Sequence, residues 1–362
     1  MFVVAALLRV VRGLIAATII FLITGELLAR TTGLLDRLNG YTHLIVAPGP
    51  ELDLPYLLRP NLTTSLGGVT IRTNRYGLRG GEITAIPPPS TRRLLLLGDS
   101  VVFGQEIPEE QTVAGLLPRQ LAARGLGTTE VLNAGVPGYD TVSEARLLAL
   151  VGLALRPDTV VVGMSLNDHD VTPQYSPYGL LVRKELDQRA PSLVDRSEFV
   201  ALLGWVVRWA RGDLLMQLVA AQEVRQGGPQ QPRQRIPPVE ENIRTLRLAF
   251  YRNPVPAYWQ RLRDALATIQ TLCETRGIRA LVAIFPEAFQ VETTDPDRTP
   301  QVQLLAACRE AHIECLDLQP AFFRVGGDLF NDVSHPNAAG HALAAEAIAR
   351  TLARPPGAQP PP

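Results

Sequence analysis

A serine at the end of a buried strand and an aspartate three residues ahead of a histidine are the parts of one kind of chemistry. The serine is Ser100 in Gly98-Asp99-Ser100, directly after the leucine run 94–97. The pair is Asp332 and His335, in Asp332-Val333-Ser334-His335-Pro336-Asn337, ahead of the alanine-rich stretch 338–352. A seryl oxygen is a weak nucleophile at neutral pH until a positioned base takes its proton. Imidazole serves as that base when a carboxylate holds its tautomer and stabilises its charged form. Three-residue spacing at a loop-to-helix junction lets Asp332 face His335 across one turn and leaves the other ring nitrogen free. Each fragment also has a plainer reading, because serines cap helices and an Asp-His pair can cap the last helix. Taken together, the three favour Ser100 as nucleophile, His335 as base and Asp332 as its orienting group.

Attack on an ester carbonyl also needs donors aimed at the developing oxyanion. Two segments offer them. In Asn133-Ala134-Gly135-Val136-Pro137-Gly138 a glycine can bring a backbone N–H close to substrate with no side chain between. In Ser165-Leu166-Asn167-Asp168 the Asn167 amide can donate. Singly, Gly138 and Asn167 are ordinary turn residues.

These residues need a scaffold that gathers them at one edge. From residue 92 onward, short apolar runs at 94–97, 130–132, 159–162, 279–285 and 313–316 alternate with helix-period segments at 114–123, 143–154, 259–274 and 302–310. That alternation predicts a parallel sheet covered by helices on both faces, an α/β flavodoxin-like three-layer sandwich with five strands. Ligands bind beyond the carboxyl ends of such strands, which is where Ser100, Gly138 and Asn167 fall.

Four blocks in this order, Gly98-Asp99-Ser100, Asn133 through Gly138, Ser165-Leu166-Asn167-Asp168 and Asp332-x-x-His335, resemble the SGNH/GDSL hydrolase family. The resemblance runs from about residue 92 to 352, outside an insertion. It implies that Ser100 is the nucleophile, with its backbone N–H as a first oxyanion donor. Gly138 matches the second-block glycine better than Gly135 does, Asn167 matches the third-block asparagine, and Asp332 with His335 completes the set. Val101 departs from the family's leucine and Ser165 from its glycine, the latter expected to narrow the pocket beside the oxyanion site. The resemblance implies acyl or acetyl esters of carbohydrate or lipid as substrates, cleaved through an acyl-serine intermediate. It also keeps open an O-acyltransferase acting on an extracytoplasmic polysaccharide, with identical site residues, and a non-catalytic glycan-binding scaffold.

The rest of the chain sets boundaries. Of 362 residues, 46% are hydrophobic, ample for a core, and 35 basic residues balance 35 acidic ones, so no net field draws the protein to nucleic acid. Five scattered histidines and the lack of a phosphate-binding glycine loop point to no metal and no cofactor. His169 and Asp170 read as polar loop residues, and His312 and His341 as packing. Residues 13–29 form an apolar run near bilayer length with Glu26 as its only charge. Arg9 and Arg12 precede it, favouring a cytoplasmic N-terminus and an extracytoplasmic domain. The expected layout is a membrane anchor over 1–32, a juxtamembrane segment with accessory strands over 33–90, the hydrolase domain over 91–353 and a proline-rich tail over 354–362. A lid-like insertion spans 171–240, with Trp205, Arg208, Trp209, Arg211 and Asp213 in its hydrophobic middle and a loop over 222–235. Of Cys273, Cys308 and Cys315, the last two are the pair able to form a disulfide in an oxidising compartment.

Overall fold

The computed structural model describes residues 2–32, 44–46, 48, 52–66, 68–167, 174–175, 181–182, 197, 199–200, 202–203 and 238–355. His169, Asp170, the aromatic and arginine cluster of the insertion, its 222–235 loop and the end of the tail lie outside them. The chain forms two compact units, residues 1–44 with 175–235, and residues 45–174 with 236–362.

In the first unit, α1 (Phe2–Thr32) is built from helix-favouring Ala and Leu with Ile and Val, uninterrupted by proline. Its stretch Val10–Ala29 is long and apolar enough, by length and composition, to cross a bilayer, and leaves Leu14, Ile15, Ile20, Phe21 and Leu28 exposed. Thr18 and Thr31 donate their hydroxyls to carbonyls one turn back, so neither needs water. The Glu26 carboxylate accepts from the Ser197 hydroxyl at 2.7 Å and the Phe199 N–H at 3.0 Å. The Phe199 ring lies over Gly25 and meets Phe21 edge-on at 5.3 Å.

The second unit begins with a short antiparallel pairing of Ile45–Val46 with Leu57–Leu58, followed by a hairpin, β1 (Thr63–Leu66) with β2 (Val69–Arg72). It continues into the main sheet of β3 (Arg92–Gly98), β4 (Thr129–Gly135), β5 (Thr159–Met164), β6 (Arg279–Ile284) and β7 (Glu314–Asp317). All five strands are parallel, in the order β7-β6-β5-β3-β4. The fold is the expected flavodoxin-like one, and its order reverses between β3 and β5. A crevice must open there, and Ser100 follows β3 directly.

Period-two alternation assigns the β3 leucines to two faces. Leu94 and Leu96 join Val161, Leu281 and Ala283 in one core with α3 (Val113–Ala122), Phe322 of α8 (Gln319–Val325) and α9 (Ala338–Leu352). Leu95 faces the other way and lies against Gly152. That side carries α4 (Thr141–Leu150) packed on α6 (Pro256–Glu274), while α5 (Pro238–Arg252) and α6 both touch α7 (Thr299–Glu310). The helix expected over 143–154 starts at Thr141, because Asp140 caps it by accepting from the Ser143 N–H at 2.8 Å. It gives way to a 3₁₀ turn over Gly152–Leu155. Cys308 of α7 and Cys315 of β7 are disulfide-bonded, and Cys273 is free and buried.

Candidate active site

The turn that carries Ser100 is made by close packing. A side chain on Gly98 would strike Val102 at 2.2 Å, and one on Gly135 would strike the backbone of Phe103 at 2.3 Å. Both glycines let the short helix α2 (Ser100–Phe103) settle onto the strand ends. Asp99 is buried, and its carboxylate accepts from the Val101 N–H at 2.8 Å, capping α2. At the other end Asn133 donates to the Val102 carbonyl at 3.1 Å, and Arg79 donates to the carbonyls of Phe103, Gly104 and Ile107. The Arg79 guanidinium also lies 4.8 Å over the Phe103 ring. Burial lowers its pKa to about 10, which leaves it charged at neutral pH. The serine therefore sits on a helix held at both ends.

His335 reaches Ser100 from the loop before α9. Its Nε2 lies 2.8 Å from Ser100 Oγ, and its Nδ1 lies 2.7 Å from Asp332 Oδ2 and 2.9 Å from Oδ1. Asp332 Oδ1 also accepts from the backbone N–H groups of Ser334 and His335, each at 2.8 Å, so one carboxylate both shapes the loop and binds the ring. Burial opposes ionisation of Asp332, yet its bonds to His335 and to those two amides bring its pKa down to about 2. For His335, burial disfavours the imidazolium. The Asp332 bond and charge outweigh that, with help from Asp99 and Glu106, and raise its pKa above the ordinary value.

Gly138 stands in a turn closed by the Tyr139 N–H on the Val136 carbonyl at 3.1 Å, and is exposed with φ +81°. Asn167 is half-buried past the end of β5, its Oδ1 2.7 Å from Ser165 Oγ. Ser165 is itself buried, and its hydroxyl also lies 2.7 Å from Asp99 Oδ2, linking the asparagine turn to the residue before Ser100. Among the described residues, no group of three or more His, Cys, Asp or Glu is placed to hold a metal ion.

Several residues at this site carry no local signal. Glu287, just past β6, is buried and accepts from the Ser334 hydroxyl and from Arg247 Nε, both at 3.2 Å. The Ala288 N–H donates to the Val333 carbonyl at 2.8 Å, so the Asp332–His335 loop is tied to the strand end twice. Burial pushes the Glu287 pKa up to about 7, against the pull of Arg247 and Ser334. Tyr56 donates to the Pro137 carbonyl at 2.7 Å. Arg79 lies in the stretch 33–90, which the sequence marks only as a juxtamembrane segment with accessory strands.

The sequence profile of the GDSL-like Lipase/Acylhydrolase family matches residues 96–343, more than half of the chain. The chain belongs to this family. It is thus a serine hydrolase with esterase or acylhydrolase chemistry. The hydrolase is similar in fold to a two-domain esterase active on acetylated mannans, at 13% identity and TM-score 0.41, covering 72% of this chain and 49% of that one. It thus spans about half the length of that esterase. It is also similar to a putative lipolytic G-D-S-L protein from Desulfitobacterium hafniense DCB-2, at 13% identity and TM-score 0.38, covering 72% and 99%. A lipase/acylhydrolase from Enterococcus faecalis aligns at 19% identity and TM-score 0.40, covering 72% and 95%. No curated protein matches the hydrolase sequence.

Proposed function

We propose that this hydrolase is a membrane-tethered esterase that cleaves acyl or acetyl esters of carbohydrate or lipid through an acyl-serine intermediate. The observation that carries the reading is the unbroken line from Asp332 through His335 to Ser100 Oγ, with 2.7 Å and 2.8 Å between successive heavy atoms. Ser100 Oγ attacks the ester carbonyl while His335 Nε2 takes its proton. The carbonyl oxygen gains the negative charge and is met by the N–H groups of Ser100 and Gly138 and the Asn167 amide. As the tetrahedral intermediate collapses, the imidazolium returns its proton to the departing alcohol, leaving acyl-Ser100. Water, deprotonated by the same imidazole, then releases the acid and restores the serine. Asp332 stays ionised throughout, holding the Nδ1–H tautomer and stabilising the imidazolium.

Two features support a domain outside the cytoplasm: the candidate span Val10–Ala29, with Arg9 just ahead of it and Arg12 in its first turn, and the Cys308–Cys315 disulfide, which forms in oxidising compartments.

The reading is tested with Ser100→Ala on a p-nitrophenyl ester. The expected loss of turnover is roughly a thousandfold or more, together with loss of labelling by a fluorophosphonate probe. Full activity in that variant would refute the assignment.

A further inference from the structure

The peptide between Pro137 and Gly138 contains both the carbonyl of Pro137 and the N–H of Gly138. It is trans, like every described peptide, so the two groups point in opposite directions within one plane. Whatever holds the carbonyl therefore aims the N–H. The group that holds it is the phenol of Tyr56, which donates at 2.7 Å from a segment distant in sequence.

Tyr56 is built to stay in place. Its side chain is 2% exposed, and its ring packs on Tyr139 at 5.3 Å between centroids. The Tyr139 hydroxyl donates to the Tyr56 carbonyl, fixing the backbone as well. The next two residues, Leu57 and Leu58, pair with Val46 and Ile45. A side chain on Gly138 would come within 2.8 Å of the Tyr56 oxygen, so the phenol fills the space that only a glycine leaves free. Burial, then the charges of Asp140 and Asp99, hold the phenol's pKa well above its ordinary value, and it remains a hydrogen-bond donor across the working range.

We propose that Tyr56 is a positioning residue of the oxyanion site, holding the Pro137 carbonyl so that the Gly138 N–H is aimed at, and polarised toward, the reacting ester oxygen. The bond acts in both ways: it removes rotational freedom from the peptide plane, and a carbonyl that accepts a hydrogen bond makes its own N–H a stronger donor. The inference rests on the reading of Gly138 as an oxyanion donor. It assigns a role at the reacting centre to a residue that precedes the family match at 96–343.

The test compares full-length wild type with Tyr56→Phe on an oxoester and the matching thionoester, whose sulfur is a poor hydrogen-bond acceptor. The variant is expected to lose about fivefold in kcat on the oxoester with KM unchanged, and to show a smaller preference for oxoester over thionoester. An unchanged preference in a folded variant would overturn the proposal, as would a loss shared equally by both esters. Should Tyr56→Phe fail to fold, fluorotyrosine at position 56 keeps the shape and strengthens the donor. It is expected to raise the preference, and no change would again count against the role. Failure of the underlying reading looks different: replacing the Gly138 amide by the corresponding ester, with glycolic acid at position 138, removes its N–H, and an oxoester preference unchanged by that replacement would show that Gly138 is no oxyanion donor, whatever Tyr56 does.

Discussion

Ser100 and His335 lie 235 positions apart in the chain and meet at 2.8 Å over the carboxyl ends of the sheet. The contact joins the first main strand to the last loop, so the site exists only once the whole of the second unit has folded. The behaviour of His335 in that contact is measurable.

In the proposed mechanism His335 is the general base and works in its neutral form. Its raised pKa places the acid limb of the kcat/KM profile above the ordinary imidazole value of about 6.5, with activity falling as pH drops through it. Asp332→Asn removes the charge that raises it. The limb is expected to move to lower pH and kcat to fall roughly ten-thousandfold. A pH–rate profile on a p-nitrophenyl ester reads both effects, and a limb that stays in place would remove Asp332 from the mechanism.

Arg79 supplies charge-assisted hydrogen bonds to three buried carbonyls around α2. Arg79→Ala leaves those acceptors unpaired and is expected to cost roughly 3 kcal/mol or more in urea denaturation. Labelling of Ser100 by a fluorophosphonate slows in parallel. Normal stability and labelling would mean that water replaces the guanidinium without loss.

Glu287 gives a pH signature of the opposite sign to the usual carboxylate. Its folded pKa of about 7 lies above the ordinary 4.5, so between these values the unfolded chain releases a proton that the folded protein keeps. Its contribution to stability is full below about pH 4.5 and falls as pH rises toward 7. Glu287→Gln lacks that dependence, and its Tm relative to wild type should climb from pH 5 to pH 8, measured by thermal denaturation at a series of pH values. Parallel curves would show that the carboxyl is not perturbed.

The disulfide between Cys308 and Cys315 closes a loop with a sequence separation of 7. Reduction, or the double change Cys308→Ser with Cys315→Ser, is expected to cost about 2 kcal/mol by loop entropy. Denaturant midpoints with and without dithiothreitol check this, and coincident midpoints would mean that the bond adds nothing to stability.

The strands were legible because strands buried on both faces must be nearly continuous in apolar residues, as Leu94 through Leu97 and Val160 through Val162 are. Asp332 and His335 were legible as partners because three-residue spacing at a helix start leaves few other geometries. Ser100 needed the sheet topology to bring it to them. Tyr56, Arg79 and Glu287 escaped notice for a common reason. Each acts through a hydrogen bond to a distant backbone carbonyl or side chain, Tyr56 across 81 positions and Glu287 to Ser334 across 47, and such bonds leave no periodicity or motif. The longer extent of β4 was missed because Asn133 and Gly135 look like turn residues, although Asn133 spends its amide on α2 and Gly135 admits the Phe103 backbone.

The braces supplied by Tyr56 and Arg79 bear on how this gene is cut. A fragment trimmed to residues 96–343 would begin in the middle of β3, end inside α9, and discard both the phenol behind the Pro137 carbonyl and the guanidinium behind the serine turn. Such a fragment would keep every residue of the familiar signature and lose the parts that hold two of its blocks in register. On the role proposed for Tyr56, the smallest working piece of this enzyme is expected to start on the N-terminal side of that residue, ahead of the family match at 96–343.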